Sequence, residues 1–159
     1  MPVYERSTVV DAPLETVWQF HSDTAGLEAL TPSWLDLRIE SVTGPDDDPD
    51  PDVLEAGSTI TSSIRPLGIG PRQRWVSAIR ERRRRDHAAL FRDEMVDGPF
   101  PHWVHTHRFE SVDGGTRVHD RVEYRLPGGP LGRLLGPLGW IGFEPMFRHR
   151  HVRTKELLE

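Results

Sequence analysis

The chain has 159 residues, of which 36% are hydrophobic and 28% charged, with no cysteine and a formal net charge of -5. This length predicts one domain over residues 1–159, large enough to enclose a core or a cavity. No run of about 18 apolar residues is present, as a membrane span would require, and polar residues interrupt the start of the chain, unlike a signal peptide. The absence of cysteine excludes disulfides and thiolate nucleophiles. We therefore expect a cytoplasmic protein.

The charge is distributed unevenly along the chain. Residues 1–63 contain 13 acids and 2 bases, whereas residues 64–159 contain 12 acids and 18 bases. Such asymmetry is found in nucleic-acid-binding proteins, but it also arises from one acidic loop combined with arginine-rich strands. The segment GPDDDPDPD at 44–52 is such a loop, and the arginine run at 82–85 falls at the end of a strand. We therefore predict no nucleic-acid partner.

Alternating polar and apolar residues predict most of the chain to be extended. The predicted strands cover residues 3–10, 35–42, 58–65, 73–83, 87–96, 102–112 and 116–126. Two short helices are predicted near the start, one after Pro13 and one over 24–30. A longer helix is predicted over 146–158, after a helically spaced apolar segment at 131–143 that Pro137 and Pro145 should kink or divide.

This order predicts an α+β fold built on a curved antiparallel sheet of about six to seven strands. Short turns between successive strands favour an antiparallel meander. The long C-terminal helix is the one large element available to cover the apolar face of the sheet. The architecture therefore leaves room for a cavity between sheet and helix.

Three segments resemble a known superfamily: DAPLETVWQF after the first strand, FRDEMVDGPFPHWVHTHRFE, and GTRVHDRVEYRLP in the last strand. They are similar to the START-like or SRPBCC proteins, often labelled polyketide cyclase/dehydrase. The subgroup they resemble contains stand-alone domains and domains fused to sugar-nucleotide-epimerase-like proteins. The resemblance implies a helix-grip fold around a cavity, but the superfamily includes lipid carriers, receptors, cyclases and chaperone-like activators. Function must therefore be argued from the site.

Strand alternation predicts which side chains would line that cavity. They are mostly aromatic or apolar, with few polar groups, as is typical of small-molecule sites. The predicted ligand-binding residues are Trp34, Ile60, Trp75, Phe91, Asp93, Met95, Trp103, Phe109, Val122, Trp140, Phe143 and Phe147.

A polar cluster is predicted within this lining. His105 and His107 are two residues apart on one strand and share a face, and Asp93 and Asp120 lie on neighbouring strands. The cluster is open to three interpretations: a hydrogen-bonded structural group, a metal site with a carboxylate as third ligand, or an acid–base site. In the acid–base case Tyr124 or Arg92 would stabilise negative charge, so the candidate catalytic residues are His105, His107, Asp120 and Tyr124. We predict no resident metal and no cofactor.

The function favoured by these features is binding of a small hydrophobic or aromatic ligand, such as a lipid, quinone, isoprenoid or polyketide. One alternative is a cyclase, dehydratase or isomerase that uses the histidine–aspartate cluster. Another is an accessory domain that binds a partner through the basic face of Arg148, Arg150 and Arg153. Following the apolar segment at 131–143, this basic face could also rest on an anionic membrane, but packing on the sheet is the simpler expectation for the apolar segment. We expect a monomer or weak dimer with no stable membrane insertion.

Overall fold

The fold is a seven-stranded antiparallel sheet with its strands in the spatial order β1-β7-β6-β5-β4-β3-β2. The computed structural model describes all of residues 1–159. This architecture confirms the predicted α+β helix-grip class. The strands are β1 (Val3–Val10), β2 (Arg38–Thr43), β3 (Thr59–Ile64), β4 (Gln73–Arg84), β5 (Ala88–Asp97), β6 (His102–Val112) and β7 (Gly115–Arg125).

Four α-helices accompany the sheet: α1 (Leu14–Phe20), α2 (Thr24–Leu30), α3 (Gly129–Leu135) and α4 (Trp140–Leu158). The N-terminus of α2 is capped by Asp23, whose carboxylate accepts a hydrogen bond from the backbone N–H of Gly26 at 3.0 Å. Such a cap satisfies one of the donors that a helix start leaves unpaired. Gly26 is required for a second reason, because a Cβ there would lie 2.1 Å from the carbonyl oxygen of Phe20.

The C-terminal helix begins earlier than the sequence predicts. It starts at Trp140 rather than at residue 146, and Pro145 lies inside it without dividing it. A proline this close to a helix start removes only one backbone N–H from the ladder. The separation between α3 and α4 is made instead by a 3-10 turn, Gly136–Gly139, which contains Pro137.

The buried side chains form two clusters, which lie at opposite ends of the same strands, β1, β5, β6 and β7. Under α1, Trp18 packs edge-on against Phe109 of β6, with ring centroids 5.7 Å apart. Under α4, Phe143 and Phe147 pack against Trp103 and Tyr124. Between these clusters the sheet and helices do not close completely, and this gap is the cavity described below.

Candidate functional site

A cavity of about 460 Å³ lies between the sheet, α2 and α4. Of the 30 residues that line it, 16 are hydrophobic. Its size and largely apolar lining fall within the range of small-molecule sites. Trp34, Gln73 and Gly142 belong to the lining and are also exposed to solvent, so they mark where the cavity opens.

Most of the side chains predicted to face a cavity do line it. His105 and His107 are among them, and so are aromatic side chains from β4, β6 and α4. The predicted ligand-binding residues found in the lining are Trp34, Ile60, Trp75, Phe91, Asp93, Trp103, Phe143 and Phe147.

Four residues predicted to line the cavity do not do so. Phe109 faces inward as expected, but α1 covers that end of β6 and places it in the core under Trp18. Val122 and Met95 are enclosed in the cluster under α4. Trp140 is 54% exposed, because α4 begins there and turns the side chain outward.

A buried network of imidazoles and carboxylates forms the polar part of the site. His105 donates from Nε2 to one oxygen of Asp120 at 2.7 Å, and His151 of α4 donates from Nε2 to the other at 2.5 Å. His107 donates from Nε2 to Asp93 at 2.8 Å. Strand register brings these groups side by side, because His107 lies opposite Asp120 across β6 and β7, and Asp93 lies opposite His105 across β5 and β6. Each hydrogen bond then runs diagonally, from His105 to Asp120 and from His107 to Asp93.

The electrostatics of the network keep both carboxylates charged. Burial alone would raise the pKa of Asp120, but the hydrogen bonds from His105 and His151 hold it well below its usual range. Burial also opposes ionisation of Asp93, yet the hydrogen bond from His107 lowers its pKa. The pKa of His107 falls to about 3, because of burial and the nearby His105. His107 is therefore neutral at physiological pH.

Aromatic stacking fixes the two histidine rings. His107 lies between Phe91, with ring centroids 3.8 Å apart, and His105, with centroids 3.6 Å apart. Phe147 packs edge-on against His105 with ring centroids 5.1 Å apart. A ring held on both faces and by a carboxylate cannot turn freely. The geometry around His105 and His107 is thus pre-organised.

The same residues supply a donor set that metals use. One ligand atom each from Asp93, His105 and His107 lies within 4.8 Å of the others, and two imidazoles with a carboxylate suit zinc or iron. The arrangement fits an ion poorly, however. A metal lies in the plane of each imidazole that binds it, and these two rings are stacked with only 29° between their planes. Both rings would have to turn before they could share an ion.

The remaining predicted catalytic groups lie outside the cavity. Tyr124 is buried and donates its hydroxyl to the carbonyl of Gly136 at 2.6 Å. Asp120 is buried beneath the histidines and reaches the cavity only through them. Arg92 pairs with Glu81 rather than facing the cavity.

Two residues of α4 belong to the site although the sequence did not place them there, and one of them, Arg150, was expected on a partner-binding basic face instead. Arg150 lines the cavity, and its positive charge helps to lower the pKa of Asp93. His151 is buried and donates the second hydrogen bond that the carboxylate of Asp120 accepts. The sequence pattern that could have identified His151 is its helical spacing from Phe143 and Phe147, which places all three on the buried face of α4.

The fold and cavity together define a helix-grip protein of the START-like class. A family model described as polyketide cyclase/dehydrase and lipid transport matches residues 10–149. The chain belongs to this family. Its membership and the apolar cavity support binding of a hydrophobic ligand in general terms. No curated protein matches the sequence significantly.

Several solved structures share the fold. A protein from Chromobacterium violaceum superimposes with a TM-score of 0.68 at 12% identity, covering 100% of this chain and 99% of that one. Norcoclaurine synthase from Thalictrum, solved with a transition-state analogue, gives 0.62 at 16% identity over 99% and 93% of the chains. A nucleoside-diphosphate sugar epimerase from Corynebacterium glutamicum gives 0.60 at 22% identity, covering 96% of this chain and 28% of that one. At these identities the similarity establishes the fold alone.

Proposed function

We propose that the protein binds a small amphipathic ligand whose apolar body fills the cavity and whose polar end meets the histidine–aspartate cluster. The observation that supports this proposal is that the cavity lining combines apolar walls with a group of polar side chains. Aromatic side chains such as Trp75, Trp103 and Phe143 form much of its wall, whereas Asp93, His105, His107 and Arg150 supply a group of titratable side chains. Apolar walls contribute affinity and a few polar groups contribute orientation. Lipids, quinones, isoprenoids and polyketides are the classes proposed, because their members combine an apolar body with a polar end.

A ligand panel drawn from these four classes tests the proposal. Trp75 and Trp103 line the cavity, so binding should change tryptophan fluorescence and raise the melting temperature. Leu27 of α2 also lines the cavity, and Leu27→Trp should place a larger side chain in the ligand's space and weaken binding at least about tenfold. Leu157→Trp is the matched control, because Leu157 is exposed on α4 and outside the cavity. Equal binding by the two variants would contradict the proposal.

A second candidate function, acid–base catalysis on the bound ligand, is favoured by His105. Its Nε2–H is held by the buried carboxylate of Asp120, and its Nδ1 has no hydrogen-bond partner within the protein. A carboxylate that fixes one imidazole nitrogen leaves the other oriented as a base. His105 would then remove a proton from a ligand carbon or hydroxyl, and the charged Asp120 would stabilise the resulting imidazolium.

Deuterium exchange into the ligand distinguishes this candidate from simple binding. A poly-β-ketone that binds the protein is incubated in deuterated buffer, and deuterium at its acidic carbons is followed by mass spectrometry. His105→Gln should abolish any exchange above the buffer rate while retaining most of the binding affinity. Exchange by the wild type no faster than buffer, for every ligand that binds, would leave binding as the sole function.

A further inference from the structure

The surface formed by residues 127–142, here called the α3–α4 apex, has an unusual distribution of side chains. It contains α3, the 3-10 turn and the first residues of α4. Six large apolar residues within it are between 41% and 76% exposed. Such clustering on a soluble domain marks an interaction surface. The six are Leu131, Leu134, Leu135, Leu138, Trp140 and Ile141.

Glycines explain why these side chains face outward. The inner side of the apex approaches the protein so closely that a Cβ at Gly132 would lie 2.3 Å from the carbonyl oxygen of Pro127. A Cβ at Gly139 would lie 2.6 Å from the ring of Tyr124. With glycine on the inner side, the leucines occupy the outer side. The expectation that this apolar segment packs on the sheet is therefore wrong for these six residues.

The charge around the apex is complementary to an anionic surface. Arg133 is the one charged residue within it. Arg125 and Arg148 flank it in the sequence, and the one acid between residues 124 and 155, Glu144, is already bonded to Tyr4 and Arg6. The acidic loop at 44–52 lies elsewhere in the chain, between β2 and β3. An apolar surface flanked by arginine is typical of peripheral membrane contact.

We propose that the α3–α4 apex docks on the surface of an anionic phospholipid bilayer. The leucines and Ile141 would enter the boundary of the acyl chains, and Trp140 would lie at headgroup depth. Arg133 and Arg148, both exposed, would face the phosphates. No helix of the protein has the length and hydropathy to span a membrane. Ile141 adjoins Gly142, which lines the cavity opening, so docking brings that opening to the lipid surface.

Vesicle flotation with the full, ligand-free chain tests docking separately from ligand binding. We expect binding to phosphatidylcholine vesicles that contain about 30% phosphatidylglycerol, and weaker binding at about 0.5 M salt. Leu134→Ser/Leu138→Ser should weaken it about tenfold or more, since two exposed side chains lose their apolar contact. Val152→Ser/Leu157→Ser is the control, because both residues are exposed on α4 outside the apex; its binding should match the wild type.

Tryptophan emission gives a second measurement. Vesicles should shift the emission of the wild type to shorter wavelength, and Trp140→Phe should reduce that shift, leaving the part contributed by Trp34 at the cavity opening. Unchanged vesicle binding by Leu134→Ser/Leu138→Ser would overturn the proposal. Absence of wild-type binding to the anionic vesicles would overturn it too. A concentration-dependent dimer that this variant abolishes, without any vesicle binding, would assign the apex to contact between two copies of the chain. Circular dichroism should give equal helix content for all variants, because the substituted side chains are exposed.

Discussion

The buried carboxylate of Asp120 offers the sharpest test of the polar network. Asp120 is 3% exposed, and each of its two oxygens accepts a hydrogen bond from a different histidine. Asp120→Asn preserves shape but replaces one acceptor with an NH₂ donor that faces an imidazole N–H. A hydrogen bond to a charged group contributes about 1.5–3 kcal/mol, and an unpaired buried donor adds about 1–3 kcal/mol. Together these effects predict that the variant loses about 2.5–6 kcal/mol of unfolding free energy at pH 7.

Urea unfolding followed by tryptophan fluorescence measures this loss. With a slope of about 2 kcal/mol per molar, the midpoint should fall by about 1–3 M. Asp97→Asn is the control, because Asp97 pairs with Arg74 at 2.9 Å and both side chains are more than 60% exposed. A surface pair of this kind contributes at most about 1 kcal/mol. If Asp120→Asn and Asp97→Asn lost the same free energy, the buried network would not have the role we assign it.

The pH dependence of the same difference has a defined sign. The pKa of Asp120 is depressed in the folded state, so its contribution is present above the unfolded value of about 3.9 and is lost as pH falls below it. The difference between wild type and Asp120→Asn should therefore shrink as the pH falls below about 4. A difference that stayed constant or grew below pH 4 would refute the reasoning.

Three further predictions concern the apex and α1. Gly139→Ala should cost about 1–3 kcal/mol of unfolding free energy, because the new Cβ meets the buried ring of Tyr124. Gly142→Ala is the control: its Cβ meets nothing within 4 Å, so the change should be neutral or slightly stabilising. Urea unfolding of both variants measures the difference. Tyr124→Phe should cost about 1 kcal/mol, since the hydroxyl bonds Gly136, and hydrogen exchange should quicken across the 3-10 turn; unchanged exchange there would contradict it. Burial lowers the pKa of His21 to about 4, so its stabilising contribution is complete above about pH 6.5 and declines toward pH 4; an NMR titration of its ring with a midpoint near 6.5 would show this to be wrong.

Much of the fold follows from local sequence patterns. The alternation on β6 and β7 identifies the inward faces that carry His105, His107 and Asp120, because side chains two residues apart on a strand share a face. The turn at Asp113 and Gly114 separates these strands close to the predicted position. Strand number, helix order and the cavity between sheet and α4 are therefore available from the chain itself.

Partnerships between distant segments are decided by the tertiary structure. His151 reaches Asp120 across 31 residues because α4 lies over β7, and no local pattern specifies that contact. Phe109 and Val122 share an inward face with the cavity residues, yet α1 and α4 cover them and leave them in the core. The outward leucines of α3 are another case, because helical spacing identifies an apolar face but not its direction. That direction is set by Gly132 of α3, which lies so close to the backbone of Leu126 and Pro127 that no side chain fits on the inner face.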